Sequence, residues 1–384
     1  MRFEFATATR IVFGKGTCED VPAAAAEMGR RVLLVTGANP RRARPLREQL
    51  TAGGLHVASY GVDAEPTIDT VGTGVCQARE EHCDLVIGFG GGSVLDAGKA
   101  IAALLTNGGE PLDYLEVIGR GKPLTAPAAP YIAIPTTAGT GAEVTRNAVL
   151  ASPEHRVKVS LRSPLMLPRL AVVDSRLTHG LPPSITASTG LDALAQLLEP
   201  FVSRKANPMT DAFCREGLTR LANSLLPAFQ DGDDAAAREN MALASLFGGL
   251  ALANAKLGAV HGIAGPLGGM FPAPHGAACA ALLPHVMAVN VQALRQRQPE
   301  SESLRRYQEV ARLLTRSETA TPADGAAWLE QLCQQLSIPS LGAHGLTESH
   351  FPELIEKASR ASSMKGNPIE LRDEELRDVL SRAL

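Results

Sequence analysis

The sequence predicts an α/β half, built on a parallel sheet with helices on both faces, followed by an all-α half. Three observations carry that prediction. Up to about residue 178, short apolar or β-branched runs alternate with helical patterns, as parallel strands buried under helices on both sides require. Two of those strands run directly into glycine-rich or hydroxyl-rich turns. After residues 170–178 the strand signals stop, and the rest reads as helices punctuated by Pro and Gly.

Taken in order, FEFATATRIVFG at the start reads as an edge hairpin. RRVLLVTG (30–37) is a buried strand followed by a helix over 43–52. LHVASYG (55–61) is the next strand, and 68–81 is helical. CDLVIGFGGGS (83–93) is a strand running into glycines, YIAIPTT (131–137) another, and LAVVDSRLT (170–178) the last. Helices are then expected over 188–202, 208–229, 234–264, 278–297, 302–314, 322–336 and 352–362. The boundary falls near residue 178, giving domains 1–178 and 179–384. No internal repeat or low-complexity linker separates them, so the expectation is two halves that pack tightly and share a cleft.

The chain has 384 residues, 45% of them hydrophobic and 20% charged, which marks a folded protein with a core in each half. A net charge of -3 and a pI near 6.3 argue against nucleic acid or an anionic membrane as partner, since both favour a basic excess. Aromatics are 4%, too few to offer stacking platforms for single-stranded nucleic acid. No uninterrupted apolar run reaches the roughly 18 residues of a membrane span, and the start lacks the charged-then-apolar pattern of a secretory signal. The six cysteines are scattered with no CxxC pair, which points to a reducing, cytoplasmic setting rather than a disulfide framework.

Gly90, Gly91 and Gly92 lie between the strand LVIGF and the helix SVLDAGKAIAALL. Ser93 followed by Asp96 has capping-box spacing, with Ser93 as N-cap. Bare backbone N–H groups at a helix N-terminus suit a pyrophosphate; a plain strand-to-helix turn is the alternative. The pattern departs from the usual dinucleotide fingerprint, because Ser93 stands where a third spaced glycine belongs and earlier strands precede it. PTTAGTGAEVT (135–145) follows the next strand with Thr136, Thr137 and Thr140 around Gly139 and Gly141. Such hydroxyls either bind a ligand or satisfy their own turn. Two loops of this kind at adjacent strand ends favour a ligand, since open α/β sheets bind there.

In STGLDALAQLLEPF, Ser188 or Thr189 is placed to cap a helix carrying Asp192 and Gln196 on one face. VHGIAGPLGGMFPAPHG later supplies His261 and His275. One carboxylate and two imidazoles suit a divalent cation such as zinc or ferrous iron. By spacing alone, a core histidine at His261 and a helix cap at His275 are the favoured explanation.

GGGSVLDAGKA, PTTAGTGAEVT, STGLDALAQ and VHGIAGPLGGMFPAPHG, in that order with VVDSRLT and the late GNP at 366–368, resemble the iron-containing, metal-dependent group III alcohol dehydrogenases. The resemblance spans nearly the whole chain. It implies an N-terminal dinucleotide-binding domain and a C-terminal helical domain, in an architecture shared with dehydroquinate synthase. By the same resemblance, Gly91, Gly92 and Ser93 match the pyrophosphate loop, Thr136, Thr137 and Thr140 contact the cofactor, and Lys158 lies near the nicotinamide ribose. Asp192, His261 and His275 match three metal ligands and are the candidate catalytic residues. The implied reaction is hydride transfer between NAD(P)(H) and a small alcohol, aldehyde or ketone, with one divalent metal, Fe2+ or Zn2+, as Lewis acid. The expected assembly is a homodimer.

Two departures stand out. Gln196 replaces the fourth ligand, a histidine, and offers the metal a weaker, neutral oxygen. Gly265 replaces a second histidine four positions after His261, enlarging the space there. The losses keep open a metal-independent reductase resembling maleylacetate reductase. A non-catalytic nucleotide-binding protein would have no need of Asp192, His261 and His275 together. A lyase of the dehydroquinate-synthase type would want a basic phosphate cluster, and Lys158, Arg146 and Lys365 are its few candidates. Gly37 stands where NAD-preferring relatives carry an acid, with Arg41 and Arg42 close behind, so NADPH is admitted. Gly265 and Lys365, the latter in the polar loop before Pro368, are the candidate substrate residues for an aldehyde or ketone bearing an anionic group. A solvated loop whose Lys365 pairs with Asp373 or Glu374 is the alternative.

Overall fold

The computed structural model describes residues 2–384. Its contacts gather into two compact units. One comprises Ala6–Thr137 and Gly141–Thr178; the other comprises His179–Leu384, Ala138–Thr140 and the chain up to Phe5.

The first unit contains strands β1 (Ile11–Phe13), β2 (Arg31–Gly37), β3 (His56–Val62), β4 (Leu85–Gly90), β5 (Tyr131–Pro135), β6 (Asn147–Ser152), β7 (Val157–Arg162) and β8 (Leu170–Val173). Six form a parallel sheet in the order β1-β8-β5-β4-β2-β3. Helices α1 (Val21–Met28), α2 (Arg44–Ala52), α3 (Ile68–Glu80) and α4 (Gly92–Asn107), with the short α5 (Pro111–Tyr114), connect and cover it. The alternation of side chains along a strand decides which helices meet which residues. Val32 and Leu34 of β2 join Val21, Ala25, Leu46 and Leu50 from α1 and α2. Leu33 and Val35 face the other way, onto Val71, Val75, Ala100 and Ile101 from α3 and α4. Each buried Val, Leu or Ile among them contributes about 1.5–3 kcal/mol.

The expected N-terminal hairpin does not form. Only Ile11–Phe13 is a strand, and it pairs in parallel with β8. The connecting ATATR has none of the Gly, Asn or Asp residues that a tight antiparallel turn requires. A hairpin that the sequence reading left out lies elsewhere, where β6 pairs antiparallel with β7. Its turn carries Arg156 at φ 50°.

The second unit is helical: α6 (Pro183–Val202), α7 (Pro208–Gln230), α8 (Ala235–Ala255), α9 (Ala259–Met270), α10 (His275–Arg297), α11 (Glu302–Thr315), α12 (Pro322–Gln335), α13 (Phe351–Arg360) and α14 (Asp373–Ala383). Three differences from expectation bear on the site. Helix α6 starts five residues early, so Ser188 and Thr189 are not caps; their hydroxyls donate back to the Ile185 carbonyl. The single helix expected over 234–264 is two, bent by 96° between α8 and α9, because Lys256 turns to φ 62°. Helix α10 begins at His275 rather than residue 278. Its length and composition, at mean hydropathy 1.5, would also suit a membrane span, a possibility the sequence reading missed; 83% of that stretch is buried in this protein. Helix α14 was also unpredicted, although Leu376, Val379, Leu380 and Ala383 give it an apolar face.

Candidate active site and metal centre

Helices α6, α9 and α10 bring together residues far apart in sequence. Asp192 lies mid-helix on α6 and is buried. His261 is the third residue of α9, just past the bend, and is also buried. His275 opens α10 and is the cluster's edge to solvent, with 35% of its side chain exposed. Gly276 allows this approach: a Cβ there would stand 2.7 Å from the Ser188 carbonyl oxygen of α6. The bend itself is held by the late GNP segment. The Asn367 side chain accepts the Ala259 N–H at 3.1 Å and donates to Asn290 at 2.7 Å.

His261 Nε2 lies 3.2 Å and His275 Nε2 3.8 Å from Asp192 Oδ1. Cys279, one turn after His275 on α10, places Sγ 3.7 Å from His275 Nε2. One donor atom from each of Asp192, His261, His275 and Cys279 lies within 4.8 Å of every other. Gln196 donates Nε2 to Asp192 Oδ2 at 2.9 Å, so it holds the carboxylate in place. Glu199, buried one turn further along α6, takes His261 Nδ1 at 2.6 Å and the Val260 N–H at 2.7 Å. With Nδ1–H donated to Glu199, the lone pair of His261 Nε2 faces the cluster.

These residues fit a divalent cation. Asp192 Oδ1, His261 Nε2 and Gln196 Oε1 are buried without a hydrogen-bond partner, and a polar atom left so costs about 1–3 kcal/mol. The donors are one carboxylate, two imidazoles and a thiol, the set that zinc-like ions accept. The four groups shift one another's protonation. Burial raises the Asp192 carboxyl, but the charges of His275 and His261 and the bond from Gln196 outweigh it and lower it. Burial pushes His261 down, while Cys279, Glu199 and Asp192 carry it well above the usual range. The Cys279 charge raises His275 to about 9, with burial opposing and Asp192 adding. Burial raises the Cys279 thiol, yet the two histidines bring it below its ordinary value.

Apart from Lys158, the predicted cofactor residues follow the carboxyl ends of β2, β4 and β5. The chain leaves β2 toward β3 on one side, and β4 lies on the other, so the ends of β2 and β4 flank the switch point where such sheets bind ligands. Gly37 ends β2, and a Cβ there would meet nothing nearer than Val94 at 3.8 Å. Helix α4 starts at Gly92 with Gly91 as N-cap and no side-chain cap. Ser93 is therefore inside the first turn, and the expected capping box is absent: Asp96 instead accepts the Val149 N–H and pairs with Lys99. Bare N–H groups at this end suit an anionic group. Thr136 is buried and donates its N–H to the Gly90 carbonyl, and Thr137 stands beside Gly91. Thr140 falls in the helical unit, where Gly139 packs on Thr189. Lys158, on β7, pairs with Glu65.

Gly265 faces open space, with nothing within 4 Å of a Cβ. Lys365 is exposed in a short 3-10 turn, and no ion pair joins it to Asp373 or Glu374 among the described residues. Its neighbour Met364 covers Gly262 of α9.

Sequence reasoning missed Glu199, Cys279 and Lys99. Glu199 is seven residues after Asp192, on the same face of α6, and a buried acid at that spacing is a signal for a histidine partner. Cys279 follows His275 by four, the spacing that puts two donors on one face. Lys99 is fully buried on α4 and donates to Thr145 Oγ1 at 2.9 Å and the Asn147 carbonyl at 2.6 Å.

A parallel-sheet unit and a helical unit bearing this buried donor cluster define an oxidoreductase of the alcohol dehydrogenase class. The chain belongs to the iron-containing alcohol dehydrogenase family: residues 8–175 match the family's own pattern and residues 186–384 match its C-terminal portion. A 1,3-propanediol dehydrogenase from Klebsiella pneumoniae is 36% identical over 371 residues, covering 92% of each chain. The crystal structure of a 1,3-propanediol oxidoreductase superposes at a TM-score of 0.91 with 33% identity over the full length of both chains. A sulfoacetaldehyde reductase from Bifidobacterium kashiwanohense, solved with NAD+, superposes at 0.88 with 29% identity, covering 100% of this chain and 99% of that one.

Proposed function

We propose that this enzyme transfers a hydride between NAD(P)(H) and a small alcohol, aldehyde or ketone, assisted by one divalent cation, Fe2+ or Zn2+, held by Asp192, His261 and His275. The observation that carries this reading is that two buried atoms without a hydrogen-bond partner, Asp192 Oδ1 and His261 Nε2, face each other at 3.2 Å. When bound, such a cation supplies Lewis acidity at the substrate oxygen, and the nicotinamide supplies or takes the hydride. Glu199, bonded to His261 Nδ1, orients the ring so that Nε2 faces the cation, and Gln196 steadies the carboxylate of Asp192. Gly91, Gly92 and Ser93 offer backbone N–H groups to the pyrophosphate, with Gly37, Thr136, Thr137, Thr140 and Lys158 as further cofactor residues. The bare Gly37, followed by exposed Arg41 and Arg42, admits NADPH as well as NADH. Six free cysteines support a cytoplasmic setting, and a homodimer is the proposed assembly.

The test is His261→Ala with chelation. The variant should lose bound metal and at least ~100-fold in kcat/KM with either cofactor, with its circular dichroism unchanged. Full activity in metal-free protein with chelator present would replace this reading with a metal-independent reductase.

For the substrate, the proposal is an aldehyde or ketone bearing an anionic group, bound with help from Lys365 in the room left by Gly265. An exposed, unpaired ammonium and an open Gly265 support it, as does a structural relative whose named substrate, sulfoacetaldehyde, is anionic. Lys365→Ala should raise KM about 3–10-fold for an acidic aldehyde, the size of one exposed charge contact. A neutral aldehyde of the same size should be unaffected. Equal effects on both would remove Lys365 from the site.

A further inference from the structure

The cluster contains a donor that the proposed ligand set leaves unused. Cys279 is fully buried on α10, shares a helix face with His275, and lies within 4.8 Å of the donor atoms of Asp192, His261 and His275. Two of those partners, Asp192 and His261, present buried atoms with no hydrogen-bond partner, so the sulfur lies beside donor atoms that a cation would satisfy. The spacing is also chemically apt. Zinc–nitrogen bonds of about 2.0–2.1 Å and zinc–sulfur bonds of about 2.3 Å, at tetrahedral angles, separate N from S by roughly 3.5 Å. His275 Nε2 and Cys279 Sγ are 3.7 Å apart. The same arithmetic separates two N or O donors by roughly 3.3 Å, and His261 Nε2 to Asp192 Oδ1 is 3.2 Å. Gln196, by contrast, commits its amide N–H to Asp192 and brings only a neutral oxygen.

We propose that Cys279 is a sulfur ligand of the divalent cation in this site, and that it biases the site toward a thiophilic ion, Zn2+ or Co2+, over Fe2+. The proposal rests on the metal reading above. Thiolate donors favour softer ions, whereas an imidazole and carboxylate set without sulfur discriminates less. Four protein donors would still admit substrate, because catalytic zinc sites sometimes expand to five ligands.

The experiment is cobalt substitution. Metal-free protein is titrated with Co2+, and its absorption spectrum is followed alongside bound cobalt by elemental analysis, for wild type, Cys279→Ser and Cys279→Ala. Wild type should bind one Co2+ and show a near-ultraviolet sulfur-to-cobalt charge-transfer band beside the visible ligand-field bands. Both variants should still bind cobalt but lose the near-ultraviolet band. In competition between Zn2+ and Fe2+, each variant should lose at least ~10-fold of the wild-type preference for zinc, the lower bound for disturbing a metal's immediate surroundings. Ligand-field bands without a charge-transfer band in wild type, or a band that survives Cys279→Ser, would overturn the sulfur ligand while leaving the metal site standing. A folded wild type that binds no cobalt, together with full activity under chelation, would instead overturn the metal reading itself.

Discussion

Glu199 shows how a single residue outside the proposed ligand set holds one of its members in place. Its carboxylate binds both the Nδ1 of His261 and the backbone N–H of Val260, so one side chain sets the ring's tautomer and its tilt. Glu199→Gln keeps the shape but removes the charge and offers only one oxygen for the two donors. Metal affinity should fall ~10–100-fold, as for other partners of metal-bound histidines. A chelator competition titration reads this directly, and a variant that keeps wild-type affinity would show that Glu199 is structural only. Asp192 and Glu199 differ in legibility for a related reason. Asp192 stood out because it belonged to a motif, while Glu199 looked like one more acid near a helix end.

At the scale of elements, the bend between α8 and α9 is what delivers His261. The stretch from 241 to 264 is mostly apolar and small residues, with Asn254, Lys256 and His261 as isolated exceptions, so a single helix was the natural expectation. The break is made by Lys256, whose φ of 62° and ψ of 169° lie in a region nearly reserved for glycine and cost about 1–3 kcal/mol. Packing compensates: Gly366 sits so close to the bend that a Cβ would meet the Leu257 carbonyl at 2.0 Å, and Asn367 caps α9. Lys256→Gly should therefore stabilise the protein by about 1 kcal/mol in urea unfolding. A destabilised variant would mean that the lysine side chain contributes more than its backbone costs.

For the molecule as a whole, stability should carry a pH signature from Glu143, which lies 2% exposed beside Lys99. Burial raises its carboxyl to about 7 from an ordinary 4.5, so the folded chain holds this proton more tightly than the unfolded chain. The contribution is greatest below the unfolded value and declines as pH rises through about 7. The descent is on the order of 3 kcal/mol at most. Glu143→Gln should be close to wild type in stability near pH 5 and more stable than it near pH 8, as measured by denaturant midpoints at each pH. A constant difference across that range would show that Glu143 does not titrate there.

What the sequence determined by itself was whatever a local pattern can encode. Buried strands such as 31–37 and 85–90 announce themselves by continuous apolar runs, and the glycine and threonine turns by composition. Asp192, His261 and His275 were legible because each sits in a compact motif. The tertiary structure alone decided which distant residues meet. It placed Cys279 and Glu199 around the histidines, paired β1 in parallel with β8 instead of into a hairpin, and moved Ser93 from cap to helix interior. The physical reason is that local sequence specifies the backbone's preferences over a few residues, whereas buried polar atoms must find partners wherever the packing brings them. In this protein, packing gathers donor atoms from α6, α9 and α10 to within 4.8 Å of one another.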